Sequence, residues 1–343
     1  MSKKAVVTGA GGFIGFHMVR YLKAQGYFVR GVDVKEPEFA PTDADEFQVA
    51  DLRFIENCVQ CVDGMDEVYQ LAADMGGIGY ITSFHADVAR NNTLINAHML
   101  GAAADQKVSR YFFSSTACIY PTYLQEDPDV TPLKEADAYP AQPEEGYGWE
   151  KLFAEKLCQY YTDEGKLDTR IARFHNVYGP LGTYAGGREK APAALSRKIA
   201  MAQDGDEIEV WGDGEQTRSF MYIDDCVEGI HRITQSECSE PLNLGTDELI
   251  SVNGLVDLIA SIAGKEIHKK HNLDRPQGVR GRNSDNDLLR RTLGWEPLTL
   301  LANGLIPTYD WIKEQVATQV KVIDLTTETR EATVSLEPGL AHA

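Results

Sequence analysis

The chain has 343 residues, of which 43% are hydrophobic and 25% charged, a balance typical of a globular protein with a large core. Its formal net charge of -19 argues against a nucleic-acid partner, because a phosphate backbone would be repelled. No apolar run reaches membrane-spanning length, and residues 1–7 lead into a strand-like segment with no room for a signal peptide. We therefore expect a cytoplasmic protein with reduced cysteines, no membrane partner and no metal site.

Short β-rich runs alternate with helical patterns in the first half of the chain, which predicts βαβ units and a parallel sheet. The strands predicted there are residues 5–7, 28–33, 47–50, 67–71, 110–115 and 169–174. The pattern changes after Pro180, where a glycine-rich loop begins at residues 182–188. The remaining predicted elements are helices at residues 17–25, 147–161, 191–202, 250–263 and 285–293, and a strand at 208–211.

These patterns predict an α/β fold, with a doubly wound, Rossmann-type parallel sheet and a smaller α/β substrate-binding domain. We place the Rossmann domain at residues 1–178 and the substrate-binding domain at 179–315, and expect some later segments to fold back onto the first domain. The tail, residues 316–343, is rich in Thr and Glu and breaks the helical pattern, so we expect disorder or a packing arm.

A glycine-rich turn follows the first predicted strand and opens the first helix, in the order Gly9-Ala10-Gly11-Gly12-Phe13-Ile14-Gly15. Glycines there let the backbone approach a pyrophosphate at the helix N-terminus. Asp33 closes the second predicted strand, where its carboxylate can bind ribose hydroxyls and would repel the additional phosphate of NADP. We therefore predict NAD as the cofactor, with Asp51 and Leu52 beside its adenine.

Tyr147 and Lys151 lie on one face of a predicted helix, because they are separated by one helical turn. A tyrosine hydroxyl with its ordinary pKa of about 10 is a poor base at neutral pH. A nearby ammonium and a positive nicotinamide ring would stabilise the phenolate and lower that pKa. Downstream of a dinucleotide-binding turn, this pair predicts a redox centre.

The glycine-rich turn, Asp33, the strand end Ser114-Ser115-Thr116 and the Tyr147/Lys151 pair together resemble the extended short-chain dehydrogenases/reductases. The resemblance implies that Thr116 hydrogen-bonds the reacting oxygen beside Tyr147, and that a nucleotide sugar binds between two domains. The residues assigned to the cofactor are Gly9, Gly12, Phe13, Ile14, Gly15, Asp33, Asp51, Leu52, Leu71, Ala72, Ala73, Tyr147 and Lys151.

The two residues after Thr116 distinguish this chain from the sugar 4,6-dehydratases, which carry an Asp-Glu pair there. Ala117 and Cys118 occupy those positions here, so the carboxylic acid that dehydration needs is missing. Because residues two apart in a strand face the same side, we expect Cys118 to point into the cleft beside Thr116. Lys190 begins a helix after the glycine-rich loop, and we expect it to reach the substrate from the opposite side.

Six stretches resemble the GDP-mannose 3,5-epimerases, a family within this superfamily, and the resemblance runs from about residue 3 to about residue 315. The stretches are residues 72–79, 116–121, 173–180, 187–192, 211–220 and 278–286. The chain departs from that family at Thr116, where Ser is usual, at Trp149, where Leu is usual, and in its tail. Extended relatives are often dimers, so the resemblance also implies a homodimer.

The resemblance implies conversion of GDP-D-mannose to GDP-L-galactose and GDP-L-gulose through transient oxidation of C4 by bound NAD. A C4 ketone acidifies C3–H and C5–H, and Thr116 and Tyr147 would stabilise the resulting enolates. Cys118 and Lys190 are the candidate acid/base pair that inverts each carbon. The residues assigned to the GDP-sugar are Gly76, Thr116, Asn176, Glu189, Lys190, Lys198, Gln216, Arg218, Arg280 and Arg282, of which the last two lead the candidates for the diphosphate.

Two other functions remain open at this point. A UDP-sugar 4-epimerase would use the same cofactor and Tyr147, but would need neither Cys118 nor Lys190. A non-catalytic NAD-binding regulatory protein would have no need of Thr116, Tyr147 and Lys151, whose presence argues against it.

Overall fold

A computed structural model describes residues 2–76, 80 and 83–334. Residues 77–79, which belong to one of the six stretches that resemble the epimerases, lie outside the described residues, as do residues 335–343 of the tail. The strands are β1 (Lys4–Thr8), β2 (Phe28–Asp33), β3 (Glu46–Val49), β4 (Glu67–Gln70), β5 (Arg110–Thr116), β6 (Thr169–Phe174), β7 (Asn176–Tyr178), β8 (Glu207–Trp211), β9 (Thr217–Tyr222), β10 (Leu242–Leu244), β11 (Leu249–Ser251), β12 (His268–Asn272) and β13 (Gly281–Arg282).

The five helices given limits above lie within four residues of those limits, whereas the helices at residues 85–105 and 223–235 were not predicted. The α-helices are α1 (Phe13–Ala24), α2 (Ile55–Val62), α3 (His85–Asp105), α4 (Tyr147–Asp163), α5 (Ala191–Met201), α6 (Ile223–Gln235), α7 (Val252–Ala263), α8 (Asp287–Leu293) and α9 (Leu301–Val334). The predicted helix at 250–263 begins two residues late, because Leu249–Ser251 pair with β9 and Ser251 then caps α7 by accepting a hydrogen bond from the Gly254 N–H.

The central sheet has seven strands in the order β10-β6-β5-β4-β1-β2-β3, and every pair is parallel. Its inner strands β4, β5 and β6 are buried on both faces, as their Val, Ile, Tyr and Phe content predicts, whereas the edge strand β3 is partly exposed. One face packs on α1 and α6, and the other on α2, α3 and α4. The predicted α/β fold with a doubly wound Rossmann-type sheet is confirmed.

After β6, the order of the strands along the chain no longer matches their order in the sheet. The late strand β10 lies at one edge of the central sheet, and α6 covers its face. The intervening elements form a smaller layer in which β9 pairs with β7, β11 and β13, while β8 pairs with β12. Helices α5, α7 and the first turns of α9 cover this layer with an apolar core of their own. The carboxyl ends of β1, β4 and β5 face the cleft between the two layers.

The tail departs from its prediction. Helix α9 continues to Val334, so the expectation that the helical pattern ends near Gln315 is wrong. Thr and Val lower helix propensity by only a few tenths of a kcal/mol each, and residues 308–337 contain neither Gly nor Pro to end the helix. Across residues 2–76, 80 and 83–334, no helix combines the length and apolar character needed to cross a lipid bilayer.

Candidate active site

The glycine-rich turn between β1 and α1 is packed so closely that side chains cannot replace its hydrogens. A Cβ on Gly11 would lie 2.1 Å from the carbonyl oxygen of Lys35, and a Cβ on Gly15 would lie 2.0 Å from that of Gly9. Gly9 itself has a φ of +71°, which favours glycine. Helix α1 begins at Phe13 without a side-chain cap on Gly12, so its first N–H groups face outward for an anion.

Asp33 closes β2 beside this turn, as predicted. Its carboxylate accepts hydrogen bonds from the N–H of Gly11 at 3.0 Å and of Lys35 at 3.3 Å. Burial raises its pKa, which these backbone donors partly offset. The other predicted cofactor residues follow strand ends. Leu71 and Ala72 donate their N–H groups to the Thr8 hydroxyl, and Ala73 comes next. Leu52 is buried, and Asp51 is paired with Arg53.

A cleft adjoins the turn, and the residues that line it include Gly11, Gly12, Phe13, Lys35 and Phe39. Phe39, which lines this cleft, packs against two further aromatic rings. The ring of Phe39 lies 5.1 Å from that of Trp311 in α9 and 5.8 Å from that of Tyr184 in the loop before α5. The close turn, the uncapped helix and Asp33 all suit an adenine dinucleotide without a ribose phosphate, so the residues present fit NAD.

The predicted redox centre lies where β5 ends and α4 begins. Thr116 is the last residue of β5, Tyr147 is the first of α4, and both are buried. Lys151 follows one turn later, and its ammonium donates a hydrogen bond to the carbonyl oxygen of Ser114 at 2.8 Å. The same ammonium lies 5.7 Å from the centre of the Tyr147 ring. The structure therefore brings these three predicted residues together.

Burial raises the pKa of Tyr147 well above its ordinary value, and the charge of Glu150 adds to this effect. The hydrogen bond between Tyr147 and Thr116 opposes this rise. The predicted lowering of this pKa by the Lys151 ammonium and a positive nicotinamide ring together stays a prediction.

Cys118 lies next to Tyr147, but not for the reason predicted. Strand β5 ends at Thr116, and Cys118 lies in a 3₁₀ turn, Ala117–Ile119. The backbone N–H of Cys118 donates a hydrogen bond to the Thr116 hydroxyl at 3.2 Å. The strand-based argument is therefore wrong, although the thiol packs against Tyr147 as expected. Burial and the carboxylate of Glu144 raise the pKa of this thiol, while the guanidinium of Arg282 opposes the rise.

Arg282 makes contacts that the sequence did not predict. It is buried, and its guanidinium donates to Sγ of Cys118 at 3.4 Å, to Oε1 of Gln125 at 2.6 Å and to Glu144 in an ion pair. These contacts place it beside the thiol, and its assignment to the diphosphate stays a prediction. Residues 164 positions apart in the chain meet here, which is why the motif alone did not reveal the contact.

Lys190 stands at the N-cap of α5, directly after the glycine-rich loop, and its side chain is exposed to the cleft. Its ammonium is close enough to Cys118 and Arg282 for both groups to influence its pKa. Desolvation lowers its pKa, Cys118 raises it, and Arg282 lowers it further. Cys118 and Lys190, predicted as a pair, thus contribute to one cleft from different layers of the molecule.

The other predicted substrate residues surround that cleft. Asn176 donates to the Ser219 carbonyl at 3.1 Å, Glu189 accepts from the Gly187 N–H at 2.6 Å, and Lys198 donates to the Glu209 carbonyl at 2.7 Å. Gln216 is buried, and its Oε1 has no hydrogen-bond partner among the described residues. Gly76 packs under Tyr80, Arg218 donates to the Val279 carbonyl, and Arg280 forms a two-pronged ion pair with Asp213.

Two contacts were not anticipated from the sequence. The guanidinium of Arg188 stacks on the ring of Tyr80 at 4.0 Å, joining the loop before Lys190 to the first layer. Glu150 is buried in α4 between Tyr147 and Lys151. Helical periodicity carried a signal for Glu150, since it falls on the face shared by Tyr147 and Ala154. No local sequence pattern indicated the contact of Arg188, because its partner Tyr80 lies in another layer.

Comparisons with known proteins agree with this geometry. Residues 5–245 match the NAD dependent epimerase/dehydratase family. The chain is 49% identical over 312 residues to GDP-mannose 3,5-epimerase 1 of Oryza sativa subsp. japonica, covering 90% of this chain and 82% of that protein.

Two solved structures share the fold. UDP-glucose 4-epimerase of Thermotoga maritima has a TM-score of 0.81 at 26% identity, covering 91% of this chain and 99% of its own. UDP-glucuronic acid 4-epimerase of Bacillus cereus, in complex with UDP-glucuronic acid and NAD, has a TM-score of 0.76 at 26% identity, covering 91% and 99%. The predicted cofactor, NAD, is confirmed. The chain therefore belongs to the NAD dependent epimerase/dehydratase family and, within it, to the group that includes the plant GDP-mannose 3,5-epimerases.

Proposed function

We propose that this enzyme converts GDP-D-mannose to GDP-L-galactose and GDP-L-gulose by inverting C5 and C3 of the sugar. The observation that carries the proposal is the packing of Cys118 against Tyr147 and beside Thr116, with Lys190 near enough to interact electrostatically with Cys118. A 4-epimerase needs no such pair. The relative with 49% identity, which is named a GDP-mannose 3,5-epimerase, supports the same substrate.

The chemistry requires a ketone at C4, because a C–H beside a hydroxyl is too weak an acid for any side chain to remove. Tyr147 Oη takes the proton of the C4 hydroxyl, and Thr116 Oγ1 hydrogen-bonds the same oxygen. NAD, when bound, supplies the acceptor for the C4 hydrogen and a positive ring beside Tyr147. After the ketone forms, Thr116 and Tyr147 stabilise the enolate oxygen as donors.

Inversion of a carbon requires removal of its proton on one face and delivery of a proton on the other. Cys118 Sγ and Lys190 Nζ supply these two groups, one from each layer of the molecule. Burial raises the pKa of the thiol and desolvation lowers that of the ammonium, so the two values approach each other. Both epimerisations need one group that accepts a proton and another that donates one, and a thiol and an amine can each take either role.

The nucleotide end of the substrate is proposed to lie against the second layer. The unpaired, buried Oε1 of Gln216 can accept a hydrogen bond from a base or ribose donor. Burial and the neighbouring Arg282 lower the pKa of Arg218 to about 10, so this cation gains from an added anion. Arg218 and Lys198 are therefore the preferred diphosphate contacts, and Arg282 acts instead on the thiol.

Proton NMR of GDP-α-D-mannose incubated with the enzyme in D2O tests the proposal. We expect deuterium at C3 and C5, together with sugars of the L-galactose and L-gulose configuration. Inversion at C4 without incorporation of deuterium, observed with a UDP-sugar, would instead establish a UDP-sugar 4-epimerase. NAD binding with no turnover of any nucleotide sugar would favour a regulatory protein.

We further propose a cytoplasmic homodimer. Trp149, Phe153 and Tyr160 form a stripe along α4 with 46%, 55% and 56% of their surface exposed, which a second copy would cover. The six cysteines, all within the described residues, are free thiols, in keeping with a reducing compartment. Light scattering should give twice the chain mass for the native protein and a monomer for Phe153→Asp. A native monomer would refute the dimer.

A further inference from the structure

Glu150 is a buried carboxylate for which the proposed reaction has no use. Only 5% of its surface is exposed. Its two oxygens accept hydrogen bonds from the side-chain amides of Asn92, at 2.9 Å, and Asn96, at 3.2 Å, which lie one turn apart on α3. A buried carboxylate is costly unless it is compensated, so its place between Tyr147 and Lys151 requires an explanation.

The two asparagines are oriented so that they can only donate to Glu150. Oδ1 of Asn92 accepts the N–H of Asp74 at 2.6 Å, and Oδ1 of Asn96 accepts from the side-chain amide of Gln70 at 3.1 Å. Each amide therefore turns its NH2 group to Glu150. This arrangement suits an ionised carboxylate, which accepts on both oxygens.

Lys151 is a buried cation, just as Glu150 is a buried anion. It is 1% exposed, and its ammonium has one oxygen acceptor, the Ser114 carbonyl, with the Phe113 ring at 4.8 Å. A lysine in such surroundings tends to lose its proton unless an anion is near. Because a neutral amine would not stabilise the Tyr147 phenolate, a counter-charge is required.

The charged groups around Lys151 leave one available carboxylate. Glu155 of α4 is paired with Arg173 of β6 at 2.8 Å, and Glu144 is paired with Arg282. The thiols of Cys118 and Cys158 have raised pKa values, so they carry no charge near neutral pH. Among the described residues that act on Lys151, Glu150 is then the anion without a cation of its own.

We propose that Glu150 is a positioning residue: held by Asn92 and Asn96, it keeps Lys151 protonated and so sets the pH range in which Tyr147 acts. This inference rests on the proposed roles of Tyr147 and Lys151. The charge balance agrees with it. Burial raises the pKa of Glu150 to about 7, while Lys151 and the two asparagines oppose the rise, so the carboxylate is ionised on the alkaline side.

The test is the pH dependence of kcat/KM for GDP-mannose epimerisation in Glu150→Gln, which removes the charge and keeps the shape. We expect the alkaline limb to move to lower pH by about one unit, because Lys151 loses its proton earlier. The acid limb should not move to higher pH, because the substitution also removes the charge of Glu150 that raises the pKa of Tyr147. Glu150→Asp restores the charge and should restore the alkaline limb, even at reduced kcat.

Glu164→Gln serves as the matched control. It makes the same substitution at the exposed end of the same helix, where Glu164 pairs with Lys166, and should leave the profile unchanged. If Glu150→Gln lowers activity and melting temperature but leaves the alkaline limb in place, Glu150 is a packing residue and the inference is overturned.

A second variant covers the case in which Glu150→Gln misfolds, and the native enzyme tests the proposed function separately. Should Glu150→Gln fail to fold, Asn96→Ala removes one of the two donors that hold the carboxylate in place. It should shift the alkaline limb in the same direction by less, because the charge of Glu150 is then less firmly held near Lys151. An unshifted limb there would also count against the inference. Failure of the proposed function is recognised separately, because the native enzyme itself would then not turn over GDP-mannose.

Discussion

The two walls of the active-site cleft are built in different ways. Thr116, Tyr147 and Lys151 stand at the end of a central strand and the start of a helix, and all three are buried. On the opposite wall, Lys190 follows a loop in which Gly186 and Gly187 have φ values of +92° and +87°. Lys190 is exposed to the cleft, and only its backbone is held by α5.

This difference matches the demands of the proposed chemistry. The oxygen at C4 is approached in the same way during oxidation and reduction, so its partners gain from rigid placement. The carbons C3 and C5 must be reached in sugars of changing configuration, which favours a group on an adaptable loop. We infer that the first wall sets the redox geometry and the second adjusts to the sugar.

Removal of the Tyr147 hydroxyl should produce the largest effect on the rigid wall. We expect Tyr147→Phe to lower kcat by about a thousandfold, because no other group at the strand end can take the C4 hydroxyl proton. The fold should persist, since the ring still packs against Cys118 and Val88. Deuterium incorporation in D2O measures the loss, and the melting temperature serves as the control. A variant with full activity would remove Tyr147 from the mechanism.

The adaptable wall is tested by Cys118→Ala and Lys190→Ala. Each should lower epimerisation by about a hundredfold or more, because one face of the carbon loses its proton donor or acceptor. Slow oxidation at C4 should survive in both, visible as absorbance of NADH. If either variant also loses this oxidation, its residue belongs with the rigid wall, and the contrast between the walls fails.

Gly11→Ala tests the cofactor end of the rigid wall. The new Cβ would meet the Lys35 carbonyl at 2.1 Å and push the loop at residues 34–40 away from the turn. We expect the Kd for NAD to rise by roughly tenfold, or about 1.4 kcal/mol. Gly101→Ala in α3 meets nothing within 4 Å and is the matched control. Equal NAD content in the two purified variants would contradict the close packing of the turn.

The last prediction concerns Glu150 and the stability of the fold. Its pKa is raised to about 7 in the folded protein, so the folded state binds more protons than the unfolded chain between about pH 4.5 and 7. The free energy of unfolding should therefore fall across this window as pH rises, by on the order of 3 kcal/mol from this group. Urea titrations of Glu150→Gln should lack that part of the slope. An identical slope would mean that Glu150 titrates normally.

Much of the rigid wall could be predicted from the sequence because its signals are local. The glycine-rich turn, Asp33 after the second strand and the one-turn spacing of Tyr147 and Lys151 each lie within a single βαβ unit or helix. Cys118 marks the limit of such reasoning. Its direction was inferred from strand periodicity, whereas β5 ends at Thr116 and a 3₁₀ turn directs the thiol.

The sequence by itself determined the order of elements, the cofactor class and the candidates for acid/base chemistry, since these depend on periodicity and short-range spacing. Only the tertiary structure decided which charges neutralise one another. Arg282 with Glu144 and Cys118, Glu150 with Asn92 and Asn96, and Phe39 with Trp311 each join distant segments of the chain. Burial and pairing of charges arise from packing between layers, and no local pattern encodes that packing.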